Sequence, residues 1–543
     1  DSIDAVKDSK LSMKANAVLG IGNDQNGRSV TPIVSNGIGG TTMNYLTPPD
    51  NAMAVANGGR VVAVDNEDIS YFTTSGSVLG STTHNSFFSG MSSSLLFDPR
   101  IIYDSEQDRF IYVLLHGSNS SVSKIFVCFS KSNNPYNDGW EIYEFPGNPL
   151  GDNSWTDYPN IGINKDELFL SVNLFSNGSV FNQVVVFQID KMAGYNGQTL
   201  NYETWDNISD GNGSKAFTVM PASYGQQGTY GPNMYFMSSR AGGGSRVYLY
   251  EITNNLNSGT ATMSSTQVNA SYSVAADASQ LGSSYLVDVG DCRMQSAFYL
   301  NGVVHCVHAG DIGSGYSGAF YYRIPVDNVS GVQSANIGLS GYDYAYPSIA
   351  NFGLEECDKS VMIGFLRSGS SIYPELRVIN CDNDMNWSNS TQVAAGNSPI
   401  SFLGGLERWG DYSAIQRKHN ANSPEVWIAG CHTNSGNRYQ TRVAKVTGAY
   451  EPAVGPTVSF SASDSSGSPQ FFVTFYDQST GNPISWNWEF EGGAPATSPQ
   501  QNPFVTYFDT GTFDVKLIAT NNQCTDSITM EDFIHVFNPV ADT

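Results

Sequence analysis

DYPNIGINKDELFLSV (Asp157–Val172) has an altered echo in AYPSIANFGLEECDKSVMIGF (Ala345–Phe365). Both stretches open with an aromatic-proline pair, pass through a small/apolar alternation, turn, and continue as a second apolar run. A period of two is the mark of a β-strand with two distinct faces, so each stretch reads as a pair of antiparallel strands. Related units stand at AMAVANGGRVVAVDN (Ala52–Asn66), DPRIIYDSEQDRFIYVLLH (Asp98–His116), YGPNMYFMSSRAGGGSRVYLYEI (Tyr230–Ile252), DCRMQSAFYLNGVVHCVHAG (Asp291–Gly310) and RWGDYSAIQRKHNANSPEVWIAGCH (Arg408–His432). The unit therefore occurs seven times, at intervals of about 45 to 75 residues.

Most units are followed by a third alternating run: KIFVCFSKS from Lys124, QVVVFQIDK from Gln183, AFYYRIPVD from Ala319 and ELRVINC from Glu375. A more polar fourth run sometimes follows, as in WEIYEF (Trp140–Phe145). Three or four antiparallel strands repeated seven times predict a seven-bladed β-propeller, in which small sheets pack on one another around an axis. A pair of β-sandwiches is the rival, and it explains the recurring aromatic-proline units less well. The segment NAVLGIGN (Asn16–Asn23), within an N-terminal extension over residues 1–50, is expected to close the ring by joining the last blade.

Composition agrees. The 543 residues carry 14% charged side chains and 54 glycines, a mixture that suits short strands and tight turns and suits helices poorly. The formal net charge of −24 repels a phosphate backbone and an anionic lipid surface, which speaks against nucleic-acid partners. No apolar run approaches the roughly 20 residues of a membrane helix, so no membrane insertion is expected. The chain opens DSIDAVKDSK and reads as a processed or excised product.

The seven cysteines show no CxxC or zinc-like spacing. Cys357 and Cys381 flank the turn SGSS (Ser368–Ser371) symmetrically, and a hairpin there would bring them together as a disulfide; two separate free thiols is the other reading. Scarce lysine, abundant Asn and Gly, and this candidate bridge point to a secreted or cell-surface setting.

After Val446 the text changes. A Pro/Gly/Ser-rich linker places a domain boundary near Ala449–Gly455, giving a propeller over 1–450 and a second domain over 451–543. Within it Trp486, Trp488 and Phe490 alternate on one strand face. On SWNWEFEGG and YFDTGTFDVKLIATN, with Tyr507, Gly511, Phe513, Val515 and Leu517 in place, the stretch from Pro456 to Val536 resembles a PKD domain. That resemblance implies an immunoglobulin-like β-sandwich acting as a spacer or weak binding unit, without catalytic residues and with its tryptophans in the core. The propeller, on DPRIIYDSEQDRF, YPNIGIN and RWGDYSAI, is similar to secreted Bacteroidota propellers joined to PKD modules. The likeness implies export of the type IX secretion kind. It also implies O-glycosylation at the DSI sites, Ser2 and Ser527.

The innermost strand of a propeller blade normally starts at the face that carries ligand sites. Those starts supply Asp98 and Arg100, Asp157 and Tyr158, Tyr230 and Asn233, Asp291 and Arg293, Tyr346, then Arg408, Trp409 and Asp411. The candidate ligand residues at the channel mouth are therefore Arg100, Tyr158, Arg293, Tyr346, Arg408, Trp409 and Asp411. Arginines from three blades could grip a carboxylate bidentately, as sialidase propellers do. Local ion pairs explain them more simply, since Asp98 and Asp291 stand two residues before an arginine and Asp411 three after one.

The chain contains no Asp-box repeat, G-x-S-x-G, H-E-x-x-H or P-loop, and no carboxylate pair is singled out for glycoside hydrolysis. His305 and His308 are three apart on a strand and point to opposite faces. DGNGS (Asp210–Ser214) and DNDMN (Asp382–Asn386) begin like calcium loops without completing one; Asn/Asp turns account for them more simply. The expected function is binding or structural, namely adhesion, glycan capture or assembly with another cell-surface protein. The alternative is a glycan-active hydrolase or lyase working at the channel mouth.

Overall fold

The structure, a computed structural model, describes residues 3–15, 29–35, 37–42, 46–177, 179–226, 230–449 and 453–538. The chain forms two compact units, one of residues 1–352 with 360–450, the other of 353–359 with 451–543.

The first unit is a seven-bladed β-propeller of antiparallel blades, with Ser223–Tyr224 joining blade five through one parallel pairing. The innermost strands are Ala52–Val55, Leu96–Asp104, Ser154–Ile163, Met220–Pro221, Met294–Leu300, Asp343–Asn351 and Ala414–Arg417. The unit at Tyr230–Ile252 supplies the second and third strands of blade four, Met234–Ser238 and Gly243–Thr253, so Tyr230 and Asn233 do not open an innermost strand.

Blade two shows why these strands form. In Arg109–His116, Phe110, Tyr112 and Leu114 join an apolar cluster with blade one, while Ile111, Val113 and Leu115 join one with blade three. Because alternate residues pack on different neighbours, both faces are buried and the strand reads as the nearly unbroken apolar run RFIYVLLH. Similar clusters join blades four and five, five and six, and six and seven. Blades six and seven approach so closely that a Cβ on Gly364 would lie 2.4 Å from Ile428 Cδ1.

Ile38, Met53, Val55, Val61, Trp427 and Val443 complete the circle between blades seven and one. The closing strands are Ile33–Val34 and Ile38–Thr42, which pair with Tyr439–Thr447 of blade seven. The expected closing segment, Asn16–Asn23, lies outside the described residues.

The aromatic-proline echo marks a bulge. Asp98, Tyr158 and Tyr346 have φ of 56°, 51° and 50°, and each precedes a proline. In each blade that pair falls outside the ladder, where the register slips between Phe97 and Arg100, Asp157 and Asn160, and Ala345 and Ser348. The proline contributes no N–H where the bulge leaves one unpaired. Left-handed backbone at a bulky residue costs about 1–3 kcal/mol and concentrates at functional sites.

The second unit is a two-sheet sandwich. Its core holds Phe460, Phe475, Trp488, Phe490, Tyr507 and Leu517, and Trp486 packs against it while donating to Asp477 Oδ2 at 2.8 Å. Ser527 is exposed on the strand Thr525–Val536, and Ser2 lies outside the described residues.

The disulfide is Cys357–Cys524, not the expected Cys357–Cys381. The hairpin register sets Cys381 opposite Val361, so Cys357 lies beyond the strand in the segment 353–359, and Cys381 is a buried free thiol. The bond spans 167 residues of sequence and bridges the linker. A specific protease site inserted between Gly448 and Gly455 should therefore give, once cut, one electrophoretic band without reductant and two with it. Two bands without reductant would contradict the Cys357–Cys524 pairing.

Candidate functional site at the channel mouth

The innermost strands line a central channel of about 160 Å³ with residues from every blade, among them Ala52, Arg100, Ile161, Met220, Gln295, Ser348 and Ser413. At the end where those strands begin, the channel opens into a cavity of about 480 Å³. Gln295 lines both spaces. Asp50, Asp98, Asp157, Asp288, Asp291 and Asp411 face the mouth, with Lys7, Arg293 and Arg408 as its cations and Tyr158 and Tyr346 as its aromatics.

The bulges aim these side chains. Tyr158 reaches across the axis from blade three, and its hydroxyl donates to Asp411 O at 3.1 Å. From blade six, the Tyr346 hydroxyl donates to Asp288 O at 3.2 Å. Asp98 accepts the Tyr158 N–H at 3.0 Å, and Asp50 accepts the Asp411 N–H at 2.6 Å. Asn66 ties the last two acids together, donating to Asp50 Oδ2 at 2.7 Å and accepting from Asp98 N at 2.8 Å.

Two of the three arginines are held by local acids. Arg293 grips Asp291 through Nε at 2.9 Å and Nη2 at 2.7 Å, and lies 4.6 Å over the Tyr158 ring. Arg408 Nη2 meets Asp411 Oδ1 at 2.6 Å, with Asp288 4.0 Å from its Nε. Arg100 departs from the expected pairing with Asp98, because the bulge between them breaks their shared face. It donates to Pro159 O at 2.8 Å and Asn160 Oδ1 at 2.9 Å, stacks 3.3 Å over Tyr412, and lines the channel rather than the mouth. Trp409 is fully buried in the core between blades six and seven and is no mouth ligand. A three-arginine grip on a carboxylate is thus not assembled.

The acids divide into two groups. Burial opposes ionisation at Asp291, but the Arg293 guanidinium outweighs it and holds the carboxyl below its usual range. At Asp288 burial is likewise outweighed, by the Lys7 ammonium. Asp50 is pushed up to about 7 by burial and then by the Asp411 charge. Burial also raises Asp98, with Asp157, Asp50 and Asp411 adding to it, and raises Asp157, with Asp411 adding to it. Carboxylates driven apart in this way can divide acid and base roles. Asp50, Asp98 and Asp411 bring ligand oxygens within 4.8 Å of one another, so these three are the residues that could hold a hard divalent cation.

The calcium-like stretches spend their carboxylates otherwise. Asp210 caps the N–H groups of Asn212 and Ser214 and pairs with Arg240, while Asp382 caps Asp384 and Asn386. His305 and His308 are buried against Tyr321 and Tyr322 respectively. Sequence reasoning missed Asp50, Asp288 and Lys7. Asp50 follows a Pro-Pro pair just before the first innermost strand, a position like that of Asp98, and could have been found by that analogy.

Residues 443–536 match the PKD domain family. No curated protein matches the chain. Solved structures resemble it distantly. A fungal alcohol oxidase of the AA5 family, in complex with copper, has TM-score 0.40 and 12% identity over 91% of this chain and 99% of its own. A subtype N10 neuraminidase-like protein of A/little yellow-shouldered bat/Guatemala/060/2010 has TM-score 0.38 and 10% identity over 69% and 99%. A Trypanosoma rangeli sialidase mutant displaying trans-sialidase activity has TM-score 0.36 and 10% identity over 81% and 83%. Likeness at this level carries no argument about activity. Among the described residues no helix is long and apolar enough to cross a membrane.

The raised acids make stability depend on pH. Between about pH 4 and pH 7, the window set by Asp50, the unfolded carboxyl is ionised while the folded one keeps its proton, so stability falls as pH rises. Asp98→Asn keeps an acceptor for the Tyr158 N–H and removes one ionisation from the cluster. Because burial raises the Asp98 carboxyl, its unfolding midpoint should gain on the parent as pH rises from 4 to 7. A gap that does not change with pH would refute the shared burial of these carboxyls.

Proposed function

We propose that this is an extracellular recognition protein whose propeller mouth binds a hydroxyl-rich glycan and whose PKD domain serves as a spacer. One observation carries the reading: strained bulges turn acids and tyrosines from separate blades into a single 480 Å³ cavity. Carboxylates accept hydrogen bonds from sugar hydroxyls. With Arg293 and Arg408 already neutralised, acids outnumber cations, which favours a neutral or amino sugar over an acidic one. Adhesion or assembly with another cell-surface protein would use the same face. The disulfide and the PKD domain support an extracellular location, and the resemblance to Bacteroidota propellers supports type IX export.

A second reading, a glycan-active hydrolase or lyase, is favoured by the closeness of Asp50, Asp98 and Asp411 together with the raised Asp50. The full chain on a glycan array, scored for bound protein and for altered glycan, separates the two. The expected result is binding to a neutral or amino glycan without turnover, weakened roughly tenfold or more in Asp411→Ala, as for loss of a hydrogen bond to a charged group. Consumption of the bound sugar would establish the second reading, and an array without binding would overturn both.

A further inference from the structure

The helix Ile3–Ala15 contributes Ile3 and Lys7 to the wall of the mouth. Ile3 and Val6 pack against the core of blades four and five, and lysines are buried beside them. Lys7 and Lys14 are its most buried side chains, Lys10 lies between them on the same face, and Met13 is 54% exposed. Each lysine meets acids of the propeller. Lys7 Nζ lies 2.7 Å from Asp277 and 2.8 Å from Asp288. Lys10 lies 2.5 Å from Asp311, and Lys14 lies 2.6 Å from Asp343. Lys14 also donates to Asp277 O at 2.9 Å and stands 5.0 Å over the Tyr316 ring.

We propose that this helix is a releasable strap, latched across the edge of the mouth by Lys7, Lys10 and Lys14, which limits entry to the cavity until it detaches. Beyond the two apolar contacts of Ile3 and Val6, the helix turns lysines inward and a methionine outward, so ion pairs hold most of its length. Buried ion pairs return little net stability after desolvation, yet they hold one register closely. A free helix of 13 residues is marginal in water, so detachment would also unwind the segment and clear the opening. The carboxylate of Asp288 faces the mouth and is held by Lys7, so release of the strap also exposes an acid that a ligand could use.

The proposal rests on the mouth being the binding site, and it is tested without any ligand. Leu46 lines the mouth and is half-buried, and the five free cysteines described are buried, so Leu46→Cys provides one reactive thiol in the cavity. Its labelling by a fluorescent maleimide is compared in the full chain with the strap intact and with Lys7→Glu, Lys10→Glu and Lys14→Glu combined. Labelling should be roughly tenfold or more faster in the charge-reversed chain, because breaking such pairs is worth more than a factor of ten. If that chain does not fold, the single Lys7→Gln, Lys10→Gln and Lys14→Gln variants carry the test, each labelling faster than the intact strap. Equal rates in folded variants would overturn the strap while leaving glycan binding untouched. A glycan array without binding would leave the labelling result standing.

Discussion

A blade of this propeller has two apolar faces and cannot bury either alone. Alternate residues of one strand must find partners on opposite sides, as Tyr112 does toward blade one and Val113 toward blade three. A linear stack would leave its two end blades with an open apolar face, and a closed ring leaves none. Closure therefore conditions everything else. It is completed by Ile33–Val34 and Ile38–Thr42 on blade seven, with Ile38 buried beside Trp427 and Val443.

Closure also brings the starts of the innermost strands together at one end of the axis. Regular strands would leave their side chains in the blade interfaces. The bulges at Asp98, Tyr158 and Tyr346 turn them toward the axis instead, at the cost of left-handed backbone at non-glycine residues. The result gathers six carboxylates and three cations around one cavity, with every cation already paired. Such an arrangement opposes stability, since Asp50, Asp98 and Asp157 are all held away from easy ionisation by burial.

The fold was legible because strands buried on both faces write long apolar runs, and because the bulge writes its own signature in DP and YP. The PKD sandwich was legible for a similar reason, Trp488 and Phe490 alternating inward from one strand. The site was only partly legible. Asp98, Asp157, Tyr158, Asp291, Arg293, Tyr346, Arg408 and Asp411 lie where strand starts place them, while Arg100 and Trp409 do not. A two-residue spacing implies a shared face only on a regular strand, and the bulge that makes the repeat recognisable also cancels that rule between Asp98 and Arg100. Hairpin symmetry misled in the same way at Cys357, whose partner Cys524 is 167 residues distant and beyond any local pattern. Lys7 approaches from a helix outside the repeat, so no period could reveal it.

The central claim is that the mouth is kept for a ligand at the expense of the fold. It is tested most directly by the unfolding midpoint of Asp98→Asn beside the parent at pH 8. Asparagine tolerates a φ of 56°, keeps an acceptor for the Tyr158 N–H and removes a buried carboxyl, so the account predicts a higher midpoint. A lower midpoint would show that Asp98 and its bulge serve the fold itself, and would contradict the account.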